Sequence, residues 1–236
     1  MGCPVLAVAV VLLSGQALAE PAIENTPTET LLERARASLR AMGPYRVKLT
    51  EQERVGGKLL PPQQIQLWIR ETPLAVRLLY VGGPAKGRKG LYDSKLRPDD
   101  IRVREAGFLG IAGPLWLGVR NSLCLKDTNH PVTDVGFGAL IRLEAAVFEK
   151  AKALGGFTRT DEGMNVRGHH CLRFDAPKGA KGLYAVRSDV CVDPPTSLPV
   201  EMTNWDEKGL LERYVFDDVE PGVPRDSDFT PAAAGL

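Results

Sequence analysis

The chain has 236 residues, of which 30 are Lys or Arg and 29 are Asp or Glu, so that its formal net charge is +1. This near-neutral balance gives no reason to expect nucleic acid or a strongly anionic surface as a partner. No segment approaches the roughly 20 consecutive apolar residues of a transmembrane helix, so we expect a protein that is peripheral to a membrane at most.

The amino-terminal segment predicts export. Residues 1–19 carry no charged side chain, run apolar from Val5 to Leu13 and end in Ala17-Leu18-Ala19, a pattern typical of a signal peptide cut before Glu20. A chain of this length can bury roughly 70% of its unfolded surface in one core, which favours a single domain. We therefore expect one domain over residues 20–236, ordered over about 28–222, with disordered ends that include a frayed SDFTPAAAGL tail.

Three cysteines remain after the signal peptide, namely Cys124, Cys171 and Cys191. Export brings them into an oxidising compartment, where one pair and one unpaired thiol is the natural expectation. Cys171 and Cys191 flank the turn-forming sequence PKGAKG, and a hairpin about that turn would place them opposite each other on adjacent strands. The sequence favours this disulfide; two ordinary buried thiols are the alternative.

Hydrophobic periodicity predicts two helices. The stretch TPTETLLERARASLRAMG has its apolar residues at helical spacing and stops at Gly43 and Pro44. The second helix lies within FGALIRLEAAVFEKAKALGG and ends at two glycines. It follows the sequence NHPVTDVG, in which Thr133 or Asp134 can cap its first backbone N–H groups.

The rest of the chain predicts strands. From Tyr45 the apolar residues alternate with polar ones, first over residues 45–50, then over 64–70 and 75–80, which indicates an antiparallel meander with one apolar face. Further strands are predicted at residues 90–94, 100–105, 171–175, 183–192, 198–206 and 210–219. The order of elements indicates an α+β fold, in which a strongly curved antiparallel sheet of about nine strands carries two main helices over its concave face.

Two stretches carry a resemblance to known proteins. The run YRVKLTEQERVGGKLLPPQQIQLWIRETPLAVRLLYVGGPAKGRKGLYD, followed by NHPVTDVG, resembles the bacterial exported proteins of the domain-of-unknown-function 1571 family over about residues 40–220. More distantly, the order of elements and the stretch SLPVEMTNWDEKGLLERYVFDDVEPGV are similar to the periplasmic lipoprotein carriers LolA, LolB and LppX. This second resemblance implies an incomplete half barrel whose concave face holds acyl chains, in the periplasm or outer envelope of a bacterium.

Inward-pointing residues of the strands are the candidate ligand site. They line the concave face on one interpretation and fill a core beneath the helices on the other, and the gain of about 0.8 kcal/mol per buried methylene would suffice to hold a lipid or another hydrophobic molecule. The candidate residues are Val47, Leu49, Ile65, Leu67, Ile69, Val76, Leu78, Tyr80, Val186 and Met202.

The glycine-punctuated apolar segment at residues 107–118 suits neither a regular strand nor a helix. It is a candidate mobile lid, or alternatively a buried crossover between helix and sheet. Its apolar members are Phe108, Leu109, Ile111, Leu115, Trp116 and Leu117.

Catalytic and metal sites find little support. The role of Asn129, His130 and Pro131 is not evident, and a conformational role for His130 at the helix entry is favoured. His169 and His170 are adjacent in a predicted strand and should face opposite sides, so we expect no metal and no cofactor. Glu51 and Glu53 share one strand face but are expected to border solvent.

Three functions remain open. The first is an exported envelope protein that binds or carries a hydrophobic small molecule without catalysis. The second is a structural or protein-interaction module with a self-filled core, in which the outward face at Trp68 or a sheet edge meets an envelope protein partner. The third is a hydrolase without a recognisable motif.

Overall fold

The computed structural model describes residues 22–236, apart from the side chain of Leu109. The predicted signal peptide at residues 1–19 lies outside the described residues. The helices are α1 (Thr28–Met42), α2 (Phe137–Lys152) and the short α3 (Pro231–Ala234). The strands are β1 (Tyr45–Val55), β2 (Lys58–Leu59), β3 (Gln63–Glu71), β4 (Leu74–Gly82), β5 (Lys89–Asp93), β6 (Asp100–Arg104), β7 (Leu115–Gly118), β8 (Thr158–Met164), β9 (His170–Asp175), β10 (Arg187–Val192), β11 (Pro199–Asp206) and β12 (Gly209–Pro221).

All strands belong to one antiparallel sheet. Eleven follow the order β7-β6-β5-β4-β3-β1-β12-β11-β10-β9-β8, and β2 forms a hairpin with β1. The sheet is curved but not closed, because its two end strands, β7 and β8, do not pair with each other. The predicted fold class, α+β with a strongly curved antiparallel sheet, is therefore confirmed. Within residues 22–236 no helix has the length and hydropathy needed to cross a membrane.

The structure has twelve strands where the sequence predicts about nine. The three additional strands are β2, β7 and β8. Strand β8 has the sequence TRTDEGM and is exposed or half-buried along its whole length, since it lies at the end of the sheet. It therefore lacks the apolar alternation by which a strand is recognised in a sequence.

The main core lies between the helices and one face of the sheet. Alternate residues of β1 point into it, and Tyr45, Val47 and Leu49 are each at most 1% exposed. Leu31 and Ala35 of α1 contribute from the helical side, together with several residues of α2. The predicted placement of two main helices over one apolar sheet face is thus observed.

The amino terminus of α2 is held by side chains of the sheet. The hydroxyl of Tyr45 accepts a hydrogen bond from the backbone N–H of Phe137 at 2.8 Å and donates one to Glu71 at 2.7 Å, while Glu71 also accepts the N–H of Gly138 at 3.1 Å. These groups satisfy two of the free N–H groups of the first turn. The carboxylate of Glu71 and the positive end of the helix dipole also attract each other, which stabilises the helix terminus.

The predicted cap of α2 by Thr133 or Asp134 is wrong. The residue before the helix is Gly136, with φ +93°, and a Cβ there would meet the Tyr45 hydroxyl and Ile69 at 2.7 Å. Asp134 pairs instead with Arg142 at 3.1 Å. The local sequence cannot reveal the actual acceptors, because they come from β1 and β3.

The carboxy-terminal tail is folded, contrary to the expectation of a frayed end. Phe229 and Ala234 are buried against Ala75 and Leu91, with Trp68 packed beside them. The outward face at Trp68 is thus covered by the chain itself. The guanidinium of Arg70 forms an ion pair with Asp226 at 2.5 Å and lies 5.2 Å from the centre of the Phe229 ring.

The ordered core is also longer at its amino-terminal end than residues 28–222. Ile23 is 7% and Thr26 1% exposed, and the guanidinium of Arg159 donates hydrogen bonds to the carbonyl oxygens of both residues. The packed structure therefore runs from Ile23 to the tail.

Strands β9 and β10 pair with Cys171 opposite Cys191, and the two residues form a disulfide. The predicted pairing is confirmed, and Cys124 is a free thiol. The disulfide links β9 and β10, which lie next to the end strand β8 in the sheet.

Replacing both Cys171 and Cys191 with Ser should lower the free energy of unfolding by about 3 kcal/mol, because the unfolded chain regains the entropy of an open 20-residue loop. Urea denaturation followed by circular dichroism measures the loss, and Cys124→Ser serves as the matched control. Equal stabilities of the double variant and the control would contradict the expectation.

Tyr45→Phe should lower the free energy of unfolding by about 1 to 3 kcal/mol, since it leaves the buried N–H of Phe137 without an acceptor. The control is Tyr92→Phe, which removes a hydroxyl that donates to the carbonyl of Pro98 and satisfies no buried N–H. Denaturation of the two variants side by side measures the difference. If Tyr45→Phe costs no more than Tyr92→Phe, the docking of α2 does not depend on this hydroxyl.

Candidate functional site

A cavity of about 270 Å³ remains between the sheet and α2. This volume is close to the lower end of the range for small-molecule sites. Its apolar walls come from Leu49, Ile65, Leu67, Leu78, Ile101, Val103, Val119, Leu123, Val132, Val135, Leu140, Leu143, Val147, Met202 and Phe216. Its polar walls include Glu51, Glu53, Tyr80, Arg88, Glu105, Cys124, Thr128, His130, Asp134, Glu144, Tyr184, Asn204, Glu212 and Tyr214.

Six of the ten predicted cavity residues line this space. They are Leu49, Ile65, Leu67, Leu78, Tyr80 and Met202. Val47, Ile69 and Val76 are fully buried in the closed part of the same core. Val186 precedes β10 and is 37% exposed, outside the walls of this cavity. That any of these residues contacts a ligand stays a prediction.

A second, smaller cavity of about 70 Å³ lies on the other side of α2. It is enclosed by α1, α2 and strands β9 to β11, with walls that include Leu31, Phe148 and Leu172. Glu144 and Val147 line both cavities. These two side chains of α2 therefore stand between the larger and the smaller space.

The candidate lid covers neither cavity. Residues 107–112 form a 3-10 helix and residues 115–118 form β7, the end strand of the sheet. Phe108 is 86% and Ile111 75% exposed, so the alternative of a buried crossover is wrong. The ring of Trp116 lies against the guanidinium of Arg97, 4.5 Å from its centre.

The polar end of the cavity is organised by two buried carboxylates. Glu53 accepts hydrogen bonds from the hydroxyls of Thr128 at 2.7 Å and Tyr214 at 2.8 Å, and from the backbone N–H of Asn129 at 2.5 Å. The motif Asn129-His130-Pro131 thus has a visible role, because its first residue and the preceding Thr128 satisfy a carboxylate of β1.

The second carboxylate, Glu212 of β12, is 1% exposed. It accepts hydrogen bonds from the hydroxyl of Tyr184 at 2.6 Å and the side-chain amide of Asn204 at 2.7 Å, and lies 3.0 Å from Nε2 of His130. Burial alone would raise the pKa of Glu212, but its partners, His130 first, outweigh burial and hold the pKa below its usual value. For His130, burial lowers the pKa, and the bond to Glu212 with nearby carboxylates raises it overall.

Two further carboxyl groups line the cavity without such partners. Glu51 is 6% exposed, and its Oε1 has no hydrogen-bond partner within the described part of the chain. Burial, reinforced by the charge of Glu53, raises the pKa of Glu51 to about 8 against the attraction of His130 and Arg88. Glu144 of α2 has a pKa raised to about 7 by burial and by the charge of Glu212.

The expectation that Glu51 and Glu53 border solvent is wrong, since both are buried. A signal for this was present in the sequence. Both residues continue the alternation of Tyr45, Val47 and Leu49, and so belong to the inward face of β1. Tyr214 likewise lies two residues before the inward Phe216 on β12, and so belongs to the same face of that strand.

Among residues 22–236, two groups of side chains have atoms close enough to share an ion. In the first, Glu53, His130 and Glu212, ligand atoms lie within 4.8 Å of one another, but protein groups already occupy each of them with hydrogen bonds. In the second, Asp161 and His170 bond to each other at 2.8 Å and Glu24 is exposed. His169 bonds to Glu201 on the opposite side, as the alternation of a strand requires.

Glu51→Gln should stabilise the protein increasingly as pH rises. Folded Glu51 keeps its proton up to about pH 8, whereas the unfolded residue releases it near 4.5, so the wild-type protein loses stability between these values and the variant does not. The gain in free energy of unfolding should grow by about 3 kcal/mol from pH 5 to pH 8. Urea denaturation at both pH values measures it; a pH-independent difference, like that expected for the exposed Glu149→Gln, would contradict the burial of this carboxyl.

The comparison with solved structures found proteins to which this chain is similar. MucB superposes with a TM-score of 0.50 at 15% identity, over 87% of this chain and 63% of MucB, a likeness that concerns the fold alone. The Mycobacterium tuberculosis lipoprotein LppX gives 0.46 at 16% identity, over 85% and 100% of the two chains. A LolA superfamily protein of Nitrosomonas europaea gives 0.38 at 9%, over 88% and 99%.

No curated protein matches the sequence. The model of one family, described as a protein of unknown function (DUF1571), matches residues 42–234. The resemblance that the sequence motifs carry is thereby confirmed, and the chain belongs to the DUF1571 family.

Proposed function

We propose that this protein binds an apolar or amphiphilic small molecule in the larger cavity and carries it in the cell envelope without changing it chemically. The observation that supports the proposal is the space left between α2 and the sheet. The inward side chains of β1, β3 and β4 do not fill it, although they have the size and apolar character to build a closed core. The signal-peptide pattern of residues 1–19 supports export, and the sequence resemblance supports a bacterial periplasm or outer envelope as the location.

The chemistry of the walls suits such a ligand. Apolar side chains of the sheet face apolar side chains of α2 across the cavity, so a hydrocarbon chain bound between them would exchange contact with water for contact with both walls. Each buried methylene contributes about 0.8 kcal/mol, from which the cost of ordering the ligand is subtracted. A short alkyl chain with a polar end fits both the volume and the division of the walls into apolar and polar parts.

The self-filled module is less well supported. Its self-filled core is not observed, because the cavity is open space, and one of its two predicted contact features, the outward face at Trp68, is covered by the tail. The exposed sheet edge at β7 remains the place where an envelope protein partner could pair, and such a partner would be compatible with ligand carriage.

The polar end of the cavity favours a hydrolase as the second candidate. His130 beside Glu212 is the kind of pair that could activate water. Among the described residues, Cys124 has the only thiol that lines the cavity, and burial raises the pKa of this thiol, which disfavours the nucleophilic thiolate. Incubation of the purified protein with extracted ligand, followed by mass analysis, separates the two candidates: an unchanged ligand mass supports carriage.

The carrier proposal is tested by native mass spectrometry of protein purified from a bacterial periplasm without detergent, before and after addition of decanol. A bound organic molecule or uptake of decanol is expected. Leu143→Trp, which places an indole in the cavity, should abolish both, while Ala146→Trp on the exposed side of the same helix should leave them intact. A clean apo mass for the unmodified protein with no uptake of decanol would overturn the proposal.

A further inference from the structure

The walls of the larger cavity carry an excess of acidic groups. Six carboxyl side chains line it, against one guanidinium and one imidazole. The carboxyl groups are those of Glu51, Glu53, Glu105, Asp134, Glu144 and Glu212. An apolar space bounded in this way is costly to form unless each carboxyl finds a proton or a positive partner.

The two basic groups are already engaged. The guanidinium of Arg88 bonds to Glu105 at 3.1 Å and to Asp127 at 2.8 Å. His130 lies against Glu212. Neither positive group is therefore available to bind an anionic ligand, such as a free carboxylate or a phosphate.

Most of the acidic groups are also engaged. Glu53 and Glu212 accept several hydrogen bonds each, and Asp134 pairs with Arg142. Two are not. Glu51, more than nine-tenths buried, lines the cavity and has an Oε1 without a hydrogen-bond partner, and the half-buried Glu144 makes no hydrogen bond or ion pair with any described residue.

Each of these two carboxyl groups adjoins apolar residues of the cavity wall. Glu51 follows Leu49 on the inward face of β1, and Glu144 lies one turn before Val147 on α2. One group thus comes from the sheet and one from the helix that faces it. A buried polar atom without a partner, such as Oε1 of Glu51, calls for an explanation, and once Glu51 is ionised the partner it lacks is a donor.

We propose that the ligand of this cavity is an amphiphile with a positively charged amine head, which Glu51 and Glu144 bind while the apolar walls hold its alkyl chain. This inference rests on the proposed function and narrows it to one class of ligand. A bound ammonium group donates hydrogen bonds to carboxylates and offsets the energetic cost of burying their charge. An anionic head would instead lie beside several carboxyl groups of the same sign.

Protonation fits this arrangement. Without a ligand, burial raises the pKa of Glu51 to about 8 and that of Glu144 to about 7, so that at pH 7 Glu51 is mostly protonated and Glu144 about half protonated. The charged groups that act on Glu51 are Glu53, His130, Arg88 and Asp127, and Glu212 acts on Glu144. An arriving ammonium favours the ionised carboxyl groups, so binding at pH 7 should release protons into the solvent.

The test compares decylamine, decanol and decanoic acid by isothermal titration calorimetry at pH 7. The three probes share one alkyl chain and differ in the charge of the head. We expect decylamine to bind about tenfold more tightly than decanol, which is the effect of one charge-assisted hydrogen bond, and decanoic acid to bind least. Repeating the decylamine titration in buffers of different ionisation enthalpy measures the released protons.

The variant that tests the assignment is Glu51→Gln combined with Glu144→Gln. The ratio of its affinities for decylamine and decanol, measured in the same preparation, should fall from about ten to about one. Glu149→Gln, on an exposed part of α2, is the matched control and should keep the preference. Circular dichroism confirms that the variants fold, and retained decanol binding shows that the cavity persists.

The outcomes separate this inference from the function on which it rests. Equal binding of all three probes, or a preference for decanoic acid, overturns the amine assignment and leaves the carrier function standing. Binding of none of them overturns both. A divalent metal that copurifies in stoichiometric amount and competes with decylamine would assign the acidic groups to a cation site and would also overturn the inference.

Discussion

The position of α2 depends on the hydroxyl of Tyr45, which joins the sheet to the first turn of the helix. It accepts the N–H of Phe137 and donates to Glu71, and Glu71 accepts the next available N–H. The helix is therefore fixed to β1 and β3 by its amino terminus, close to the fully closed part of the core. Further along α2 the side chains do not fill all the space between the helix and the sheet, and the larger cavity lies there.

The central strand β1 gives the cavity its chemical gradient. Its inward residues begin with an aromatic ring at Tyr45, continue with Val47 and Leu49, and end with Glu51 and Glu53. Strand β12, its antiparallel neighbour, repeats this order, since Phe216 lies near the apolar part and Glu212 at the acidic end. Two paired strands thus run from an apolar core to a group of buried carboxyls, which is the arrangement that an amphiphile requires.

How far the sequence predicts this structure depends on the range of the interactions. The alternation of apolar and polar residues identifies the inward face of β1. The positions of Cys171 and Cys191 on either side of a single hairpin turn identify the disulfide between them. The same alternation places Glu53 on the inward face, but its hydrogen-bond donors are not predictable, because Thr128, Asn129 and Tyr214 lie far away in the sequence. The end strand β8 has no buried face, and so it lacks the pattern that reveals a strand.

The partition between the two cavities is formed by side chains of a single helix. Glu144 and Val147 are the only residues that line both spaces in the described part of the chain, and both belong to α2. Under the proposed function, selectivity for the length of an alkyl chain would be a property of this helix and not of the sheet. Exchanging these two side chains would then change the space open to the chain, while the strands and their hydrogen-bond register stay the same.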